Sequence, residues 1–214
     1  MKRPKIILIL TISILAGFVI GYFCISNHLE QKTKKTDIKS VKQELKNLPK
    51  IKTPTKYTKN LDKAIKRNGF LEEKICGTAV SSTNRSFSKG GYHIHFHILF
   101  KDYYKNINKA LNEDFNRICK GKLDEKCNFQ FSKKQKDAFI YCYGNKYSAL
   151  EKEEYSRQIV VKLKPNIVMT LSSIKFIESN NNKASKKEYY SYISHLKEDI
   201  SLLNKIFHDT KNKR

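Results

Sequence analysis

The sequence has little of the residues that mark disordered, fibrous or collagen-like chains. Among its 214 residues there are 8 glycines and 4 prolines, and there is no tryptophan. Chains of those classes are rich in glycine and proline, so this composition excludes them. Hydrophobic residues make up 39% of the chain, and 12 Tyr and 12 Phe are present. Because Tyr and Phe favour half-buried strands, we expect a folded domain with a sizeable β-sheet.

Acidic residues are also scarce, since 20 Asp and Glu stand against 43 Lys and Arg and leave a formal net charge of +23. A field of this sign attracts polyanions, so an anionic envelope polymer or lipid is one candidate ligand. Over-use of Lys and Asn by an AT-rich genome is the alternative origin of the charge. The basic residues are scattered along the chain rather than concentrated on one element. Nucleic acid is therefore not the partner that this pattern predicts.

Charge is absent altogether from residues 6–26, which follow a short basic tail at 1–5. A helix of this length spans the roughly 30 Å hydrocarbon core of a bilayer. A cleaved signal peptide would have a shorter apolar region and an A-x-A-like site, and no such site is present. We therefore predict an uncleaved transmembrane signal anchor at 6–26. Within it Ser13, Gly17 and Gly21 recur every four residues and could seat a second membrane helix, although such patterns also arise by chance.

The chain lacks a C-x-x-C pair, which argues against a structural zinc site. The four cysteines after the anchor are an even number, as is typical of an oxidising compartment. We prefer the disulfides Cys119–Cys127 and Cys76–Cys142 among the three connectivities that four cysteines allow. Lysines flank both ends of the anchor, so the positive-inside rule nearly ties. The cysteines favour a bacterial inner-membrane protein with its bulk in the periplasm, and a reduced cytosolic domain is the alternative.

The chain after the anchor divides into a stalk and a domain. Residues 27–69 are rich in Lys and contain short amphipathic segments, which predicts a basic stalk with short helices. Residues 70–214 carry strand and helix patterns in the order β-β-α-β-β-β-β-α. This order predicts an extracytoplasmic α+β domain, in which an antiparallel sheet has one inserted helix and a C-terminal helix. Residues 145–154 are expected to form a helical turn.

Two patterns in this domain are especially clear. Residues 74–87 and 92–100 have strand character and flank a Gly-Gly turn, so they predict a hairpin. Near the C-terminus, six apolar residues are spaced alternately by four and three, which is a heptad seam that can pack on its own sheet or on another chain. The seam consists of Tyr189, Ile193, Leu196, Ile200, Leu203 and Phe207.

A row of histidines is the most chemically distinctive feature. Alternation along a strand places His93, His95 and His97 on one face, with the intervening apolar residues turned to the core. Alternating histidines can share a zinc ion, but a catalytic zinc needs a third ligand and an open position. Protonated imidazoles repel one another, so the row could instead sense pH. A solvated strand face that happens to use histidine is the third interpretation.

Motifs of common enzymes are missing: there is no H-E-x-x-H, no G-x-S-x-G, no phosphate loop and no dinucleotide fingerprint. The acidic pairs Glu72–Glu73 and Glu153–Glu154 are expected to be solvated. We therefore expect no catalytic residues and no cofactor. The leading hypothesis is a membrane-anchored accessory or sensory protein, a regulator that binds or stabilises a partner envelope protein and responds to pH. The alternatives are a zinc-dependent envelope hydrolase that uses the histidine row, and a module that binds anionic polymer or lipid.

Overall fold

One seven-stranded antiparallel sheet organises the part of the chain that the structure describes. The computed structural model describes residues 38–54, 59–73, 79, 81–124, 127–147, 152–178 and 185–210. The strands are β1 (Leu71–Glu73), β2 (Ser82–Lys89), β3 (Tyr92–Leu99), β4 (Phe129–Lys134), β5 (Ala138–Tyr147), β6 (Lys152–Leu163) and β7 (Ile167–Glu178). The helices are α1 (Ile38–Lys46), α2 (Lys59–Arg67), α3 (Ile107–Asp124), α4 (Lys186–Ile193) and α5 (Leu196–Asp209), with a 3₁₀ turn at Lys101–Tyr103. The predicted α+β class with an antiparallel sheet is confirmed.

The strand order is β1-β2-β3-β7-β6-β5-β4, so β3 pairs with the last strand rather than with the next one. The predicted hairpin is present as β2–β3, and its turn uses Gly90 and Gly91 at φ values of 50° and 83°. Two-residue hairpin turns of this hand need positive φ at both central positions, which glycine adopts without a steric cost. After β3, helix α3 crosses the sheet, and the β4–β7 meander then returns to β3.

The two faces of the sheet are covered very differently. Helices α1, α2, α4 and α5 contribute to the core on one face, called the helix face, where Ile94, Phe96 and Leu171 are buried. The opposite face carries the three histidines and is called the histidine face. Helix α3 covers only one end of it, through side chains such as Leu111 and Phe115. This asymmetry leaves the other end of the histidine face partly open.

The compact unit begins at Ile38, whereas the pattern of strands and helices in the sequence predicted a domain that starts at residue 70. Val41 and Leu45 of α1, and Leu61 and Ile65 of α2, are buried in the same core as the sheet. Their spacing of three or four residues gives each short helix an apolar stripe, and the sheet supplies the surface on which that stripe is buried. Residues 38–54 and 59–69 therefore belong to the folded unit.

The C-terminal heptad seam forms two helices rather than one, because the chain turns at Ser194 and His195 between α4 and α5. Ser185 caps α4, because its side-chain hydroxyl accepts a hydrogen bond from the Glu188 N–H at 3.3 Å. All six seam residues are buried in the core of the helix face. The seam is thus used within the chain and packs on its own sheet.

A buried ion pair joins the C-terminal helices to the sheet. Arg157 of β6 donates to Asp199 of α5 through Nε at 2.6 Å and Nη2 at 3.1 Å, and both side chains are about 5% exposed or less. The Tyr92 hydroxyl donates to the same carboxylate, and the guanidinium lies 4.3 Å from the ring centroid of Tyr192. Burial alone would lower the pKa of Arg157, but the bonds and charge of Asp199 outweigh it and raise this pKa.

Two expectations about local structure are corrected. Residues 145–154 do not form a helical turn in their described part, because β5 continues to Tyr147 and β6 begins at Lys152. Glu153 and Glu154 are buried rather than solvated, with 5% and 8% exposure. Their carboxylates accept hydrogen bonds from the hydroxyls of Tyr155 and Tyr143 respectively, which satisfies them inside the protein.

The predicted membrane anchor at 6–26 lies outside the described residues, together with Ser13, Gly17 and Gly21. Within the ranges that the structure does describe, none of the helices has the length and apolar character needed to span a bilayer. The anchor stays a prediction.

Candidate functional site

The three histidines lie on the same face of the sheet, as the alternation predicted. Strand β3 is the third of seven strands and is flanked by β2 and β7, so its side chains lie away from the edges of the sheet. Ile94 and Phe96, between the histidines, are fully buried on the helix face. The partition of β3 into a core side and a histidine side is therefore confirmed.

Each histidine has a different environment. His97 Nδ1 lies 2.7 Å from Asp114 of α3, and the two side chains are 21% and 9% exposed. His95 Nδ1 lies 3.0 Å from the hydroxyl of Ser86 on β2. His93 is half-exposed, with its Nδ1 3.8 Å from a Glu73 carboxylate oxygen. The row therefore changes from an open end to one held by a carboxylate beneath α3.

The electrostatics of the row follow from these contacts. Burial, and then the charge of His97, lower the pKa of His95, so this imidazole is neutral at neutral pH. Burial alone would raise the pKa of Asp114, but the hydrogen bonds from His97 and Arg117 outweigh it and the pKa lies below its usual value. Asp114 is thus a stable carboxylate that bridges an imidazole and a guanidinium. The middle of the row therefore disfavours a proton on its histidine.

An open pocket lies beside His97, with a volume of about 500 Å³. Its lining includes Ser81, Ser82, Tyr104, Asp114 and Arg117. The His97–Asp114 pair resembles the base and orienting acid of a hydrolase, but the nucleophile must also contact that base. The Ser86 hydroxyl lies within hydrogen-bond distance of an imidazole of the row, but that imidazole is His95 rather than His97.

The open part of the histidine face is polar at its centre and apolar at its end. Ser88, Thr170 and Ser172 are cross-strand neighbours of the histidine row, which supplies a band of hydroxyl groups. Further along β7, Ile174 and Phe176 are 38% and 61% exposed. Exposed large apolar side chains beside a band of hydrogen-bonding groups are typical of a protein interaction surface.

The histidines do not converge on a point. Successive side chains on one face of a strand are separated by roughly 6.6–7 Å at their Cα atoms, which spreads the imidazoles along β3. In the described part of the chain, no group of three or more His, Cys, Asp or Glu side chains could hold a metal ion. The described geometry therefore does not support zinc binding by the histidine row.

Three of the four cysteines after the anchor are described, and all three are free thiols. Cys119 belongs to the apolar cluster between α3 and the sheet that also contains Leu111 and Phe115, and Cys127 packs against that cluster. Cys142 is buried in the core of the helix face. Cys76 lies outside the described residues. Burial raises the pKa of Cys119 to about 11 and raises that of Cys142 further still. Neither thiol is therefore ionised enough at neutral pH to act as a nucleophile.

Asp114 is the residue of this site that sequence analysis missed. It is nearly buried, and it follows Leu111 by three residues and precedes Phe115 by one, so it falls on the apolar stripe of α3. An acid on such a stripe requires a partner when the helix docks. That signal was present in the sequence, but the identity of the partner depended on where α3 crosses the sheet.

Comparison of the chain with protein family models, with curated proteins and with solved structures finds no match.

Proposed function

We propose that the protein is a single-pass accessory or sensory protein of the bacterial envelope, anchored through residues 6–26 with its folded unit in the periplasm. In this proposal the folded unit binds and stabilises another envelope protein through the open part of the histidine face. The single observation that carries it is the exposed apolar pair Ile174 and Phe176 beside the histidine and hydroxyl band. The long uncharged run at the N-terminus supports the anchor.

The histidine row gives this surface a response to mild acid. Above the ordinary histidine pKa of about 6.5 the open face is neutral in its middle, and a partner can cover it without burying an unpaired charge. His95 contacts the Ser86 hydroxyl rather than a carboxylate, so its protonation as pH falls places a charge on this surface that the contact does not balance. His97 differs because it lies 2.7 Å from the Asp114 carboxylate. Binding should therefore weaken in acid through His95.

Site-specific photo-cross-linking in intact cells tests this proposal. A cross-linker at Ser172, on the histidine face, should trap a discrete complex, while one at the exposed Lys187 of α4 should not. The yield from Ser172 should fall between about pH 7.5 and about pH 5.5, on either side of the histidine pKa. Replacing His95 by Gln should remove that fall. Equal yields from the two positions, or no complex at Ser172, would refute the proposed surface.

The zinc hydrolase hypothesis predicts a different result. The protein should then contain a stoichiometric amount of zinc, and its turnover of an envelope substrate should depend on His95. Metal analysis of the purified full-length protein, compared with the His93→Gln, His95→Gln and His97→Gln variant, separates the two hypotheses. If the variant loses both the zinc and the activity, the hydrolase hypothesis is supported and the proposed binding role is refuted.

A further inference from the structure

Two adjoining pockets lie at the end of the sheet that carries the β4–β5 and β6–β7 turns. One has a volume of about 490 Å³ and lies beside the first turns of α3, with Asn108 and Asn112 in its wall. The other, of about 760 Å³, lies between residues 48–53 and residues 133–138. Thr53, together with the turn residues 136–137, lines both pockets. The two pockets therefore form one continuous depression, called here the lysine groove.

The lining of this groove is strongly and asymmetrically charged. Six of its side chains are ammonium groups: Lys50, Lys52, Lys133, Lys136, Lys162 and Lys164. Among the described residues that line it, the one carboxylate is Asp137, and it lies 3.2 Å from Lys162 Nζ. The ammonium group of Lys162 also donates to Asn112 of α3 at 2.8 Å, which holds it against that wall of the groove. The net charge along the lining favours an anionic occupant.

The two walls of the groove are fastened to each other by side-chain amides. The Ile51 N–H donates to Gln135 Oε1 at 2.9 Å, and Gln135 Nε2 donates to the Pro49 carbonyl at 3.2 Å. Asn204 of α5 holds the same segment, because it accepts from the Lys52 N–H at 2.7 Å and donates to the Lys50 carbonyl at 3.1 Å. The backbone that carries these lysines is thus held in place before any ligand arrives, which reduces the entropy cost of binding.

The chemistry of the lining narrows the class of anion. No arginine and no aromatic side chain lines the groove among the described residues. Without aromatic rings the bases of a single-stranded nucleic acid would have no stacking platform. Without guanidinium groups there is no planar fork for bidentate recognition, whereas an ammonium group binds phosphate as a point charge from any direction. A row of such charges suits a flexible chain of phosphate groups.

We propose that the lysine groove is a binding site for a linear, phosphate-bearing polyanion that has no bases. The ammonium groups contact successive phosphates, so affinity comes from several contacts and depends strongly on salt. The groove lies at the end of the sheet where α3 begins, away from Ile174 and Phe176. It uses none of the residues of the proposed partner surface, so either proposal can fail without the other.

Binding of a short linear polyphosphate to the full-length protein in neutral detergent tests the groove. Replacement of the exposed Lys50, Lys52, Lys136 and Lys164 by Gln should weaken binding at least about tenfold at low salt. It should also lower the slope of log affinity against log salt by roughly 0.7 for each phosphate that no longer meets an ammonium group. The matched control replaces four other exposed lysines, Lys63, Lys120, Lys187 and Lys205, by Gln. It carries the same net charge and should weaken binding less than about twofold.

Two further ligands identify the occupant. Orthophosphate at the same phosphate concentration should not displace the polymer, because it cannot contact several ammonium groups at once. Oligothymidylate of matched charge should bind more weakly than polyphosphate. Full displacement by orthophosphate, tighter binding of the oligonucleotide, or an equal weakening in the groove and control variants would each overturn the proposal. Unchanged melting temperatures of both variants would show that the weakening is not caused by unfolding.

Discussion

Removal of Asp199 is the sharpest test of what holds the C-terminal helices on the sheet. In Asp199→Ala the guanidinium of Arg157 stays buried, at 5% exposure, with two of its hydrogen bonds gone. The Tyr92 hydroxyl loses its acceptor at the same time. The carbonyl of Tyr192, at 2.8 Å, still accepts from Arg157 but carries no full charge to balance it. The variant therefore creates an uncompensated charge in the core.

The expected loss of stability is large. Breaking a buried ion pair by removing one partner costs about 3–5 kcal/mol in the free energy of unfolding. For a unit of this size each kcal/mol lowers the melting temperature by roughly 2–4 °C, so the fall should be about 6–20 °C. The double variant Arg157→Met with Asp199→Leu removes both charges. It should recover much of the stability, because most of the cost is the penalty of burying the remaining charge.

Urea unfolding of the full-length protein in neutral detergent, followed by circular dichroism, gives these free energies. Glu198→Gln is the matched control. The Glu198 carboxylate is next to Asp199 in the sequence, but it is 71% exposed and pairs with the exposed His195. Surface pairs of this kind contribute about 0–1 kcal/mol. A loss below about 1 kcal/mol in Asp199→Ala, or a double variant less stable than the single one, would show that the pair is not buried as described.

Three other outcomes are expected. Burial and the charge of His97 lower the pKa of His95, so the unfolded chain binds this proton at a higher pH than the folded protein, and the free energy of unfolding falls as pH drops below about 6.5. His95→Gln should flatten that part of the plot of urea midpoint against pH. An unchanged plot would contradict the burial of His95. Gly144→Ala should lower the free energy of unfolding by about 1–3 kcal/mol, because the new Cβ would lie 2.9–3.0 Å from the rings of Tyr155 and Tyr189. Gly121→Ala is the control, because a Cβ there meets no atom within 4 Å, and it should leave the urea midpoint nearly unchanged. Cys119 and Cys127 are separate thiols in the described structure, so the predicted Cys119–Cys127 disulfide requires oxidation of this pair in an oxidising compartment. Mass spectrometry of unreduced peptides should then find them joined, and four free thiols would contradict the periplasmic location.

Much of the local structure could be predicted from sequence. The alternation from Tyr92 to Leu99 identified β3 and separated its histidines from its core residues, because side chains of a strand alternate strictly between faces. The Gly90–Gly91 turn identified the hairpin for an equally local reason. The spacing of the C-terminal apolar residues identified their buried side, but the turn at residues 194–195 that divides them was not foreseen.

The sequence by itself determined which face of each strand and helix is apolar, and hence the class of the fold. Only the tertiary structure decided which of these faces meet. The pairing of β3 with β7, the contact of His97 with Asp114 across 17 positions, and the gathering of Lys50, Lys136 and Lys164 around one groove all depend on it. Periodicity is a property of neighbours along the chain, whereas these contacts depend on the strand order and on the path of α3, which the packing of the whole core selects.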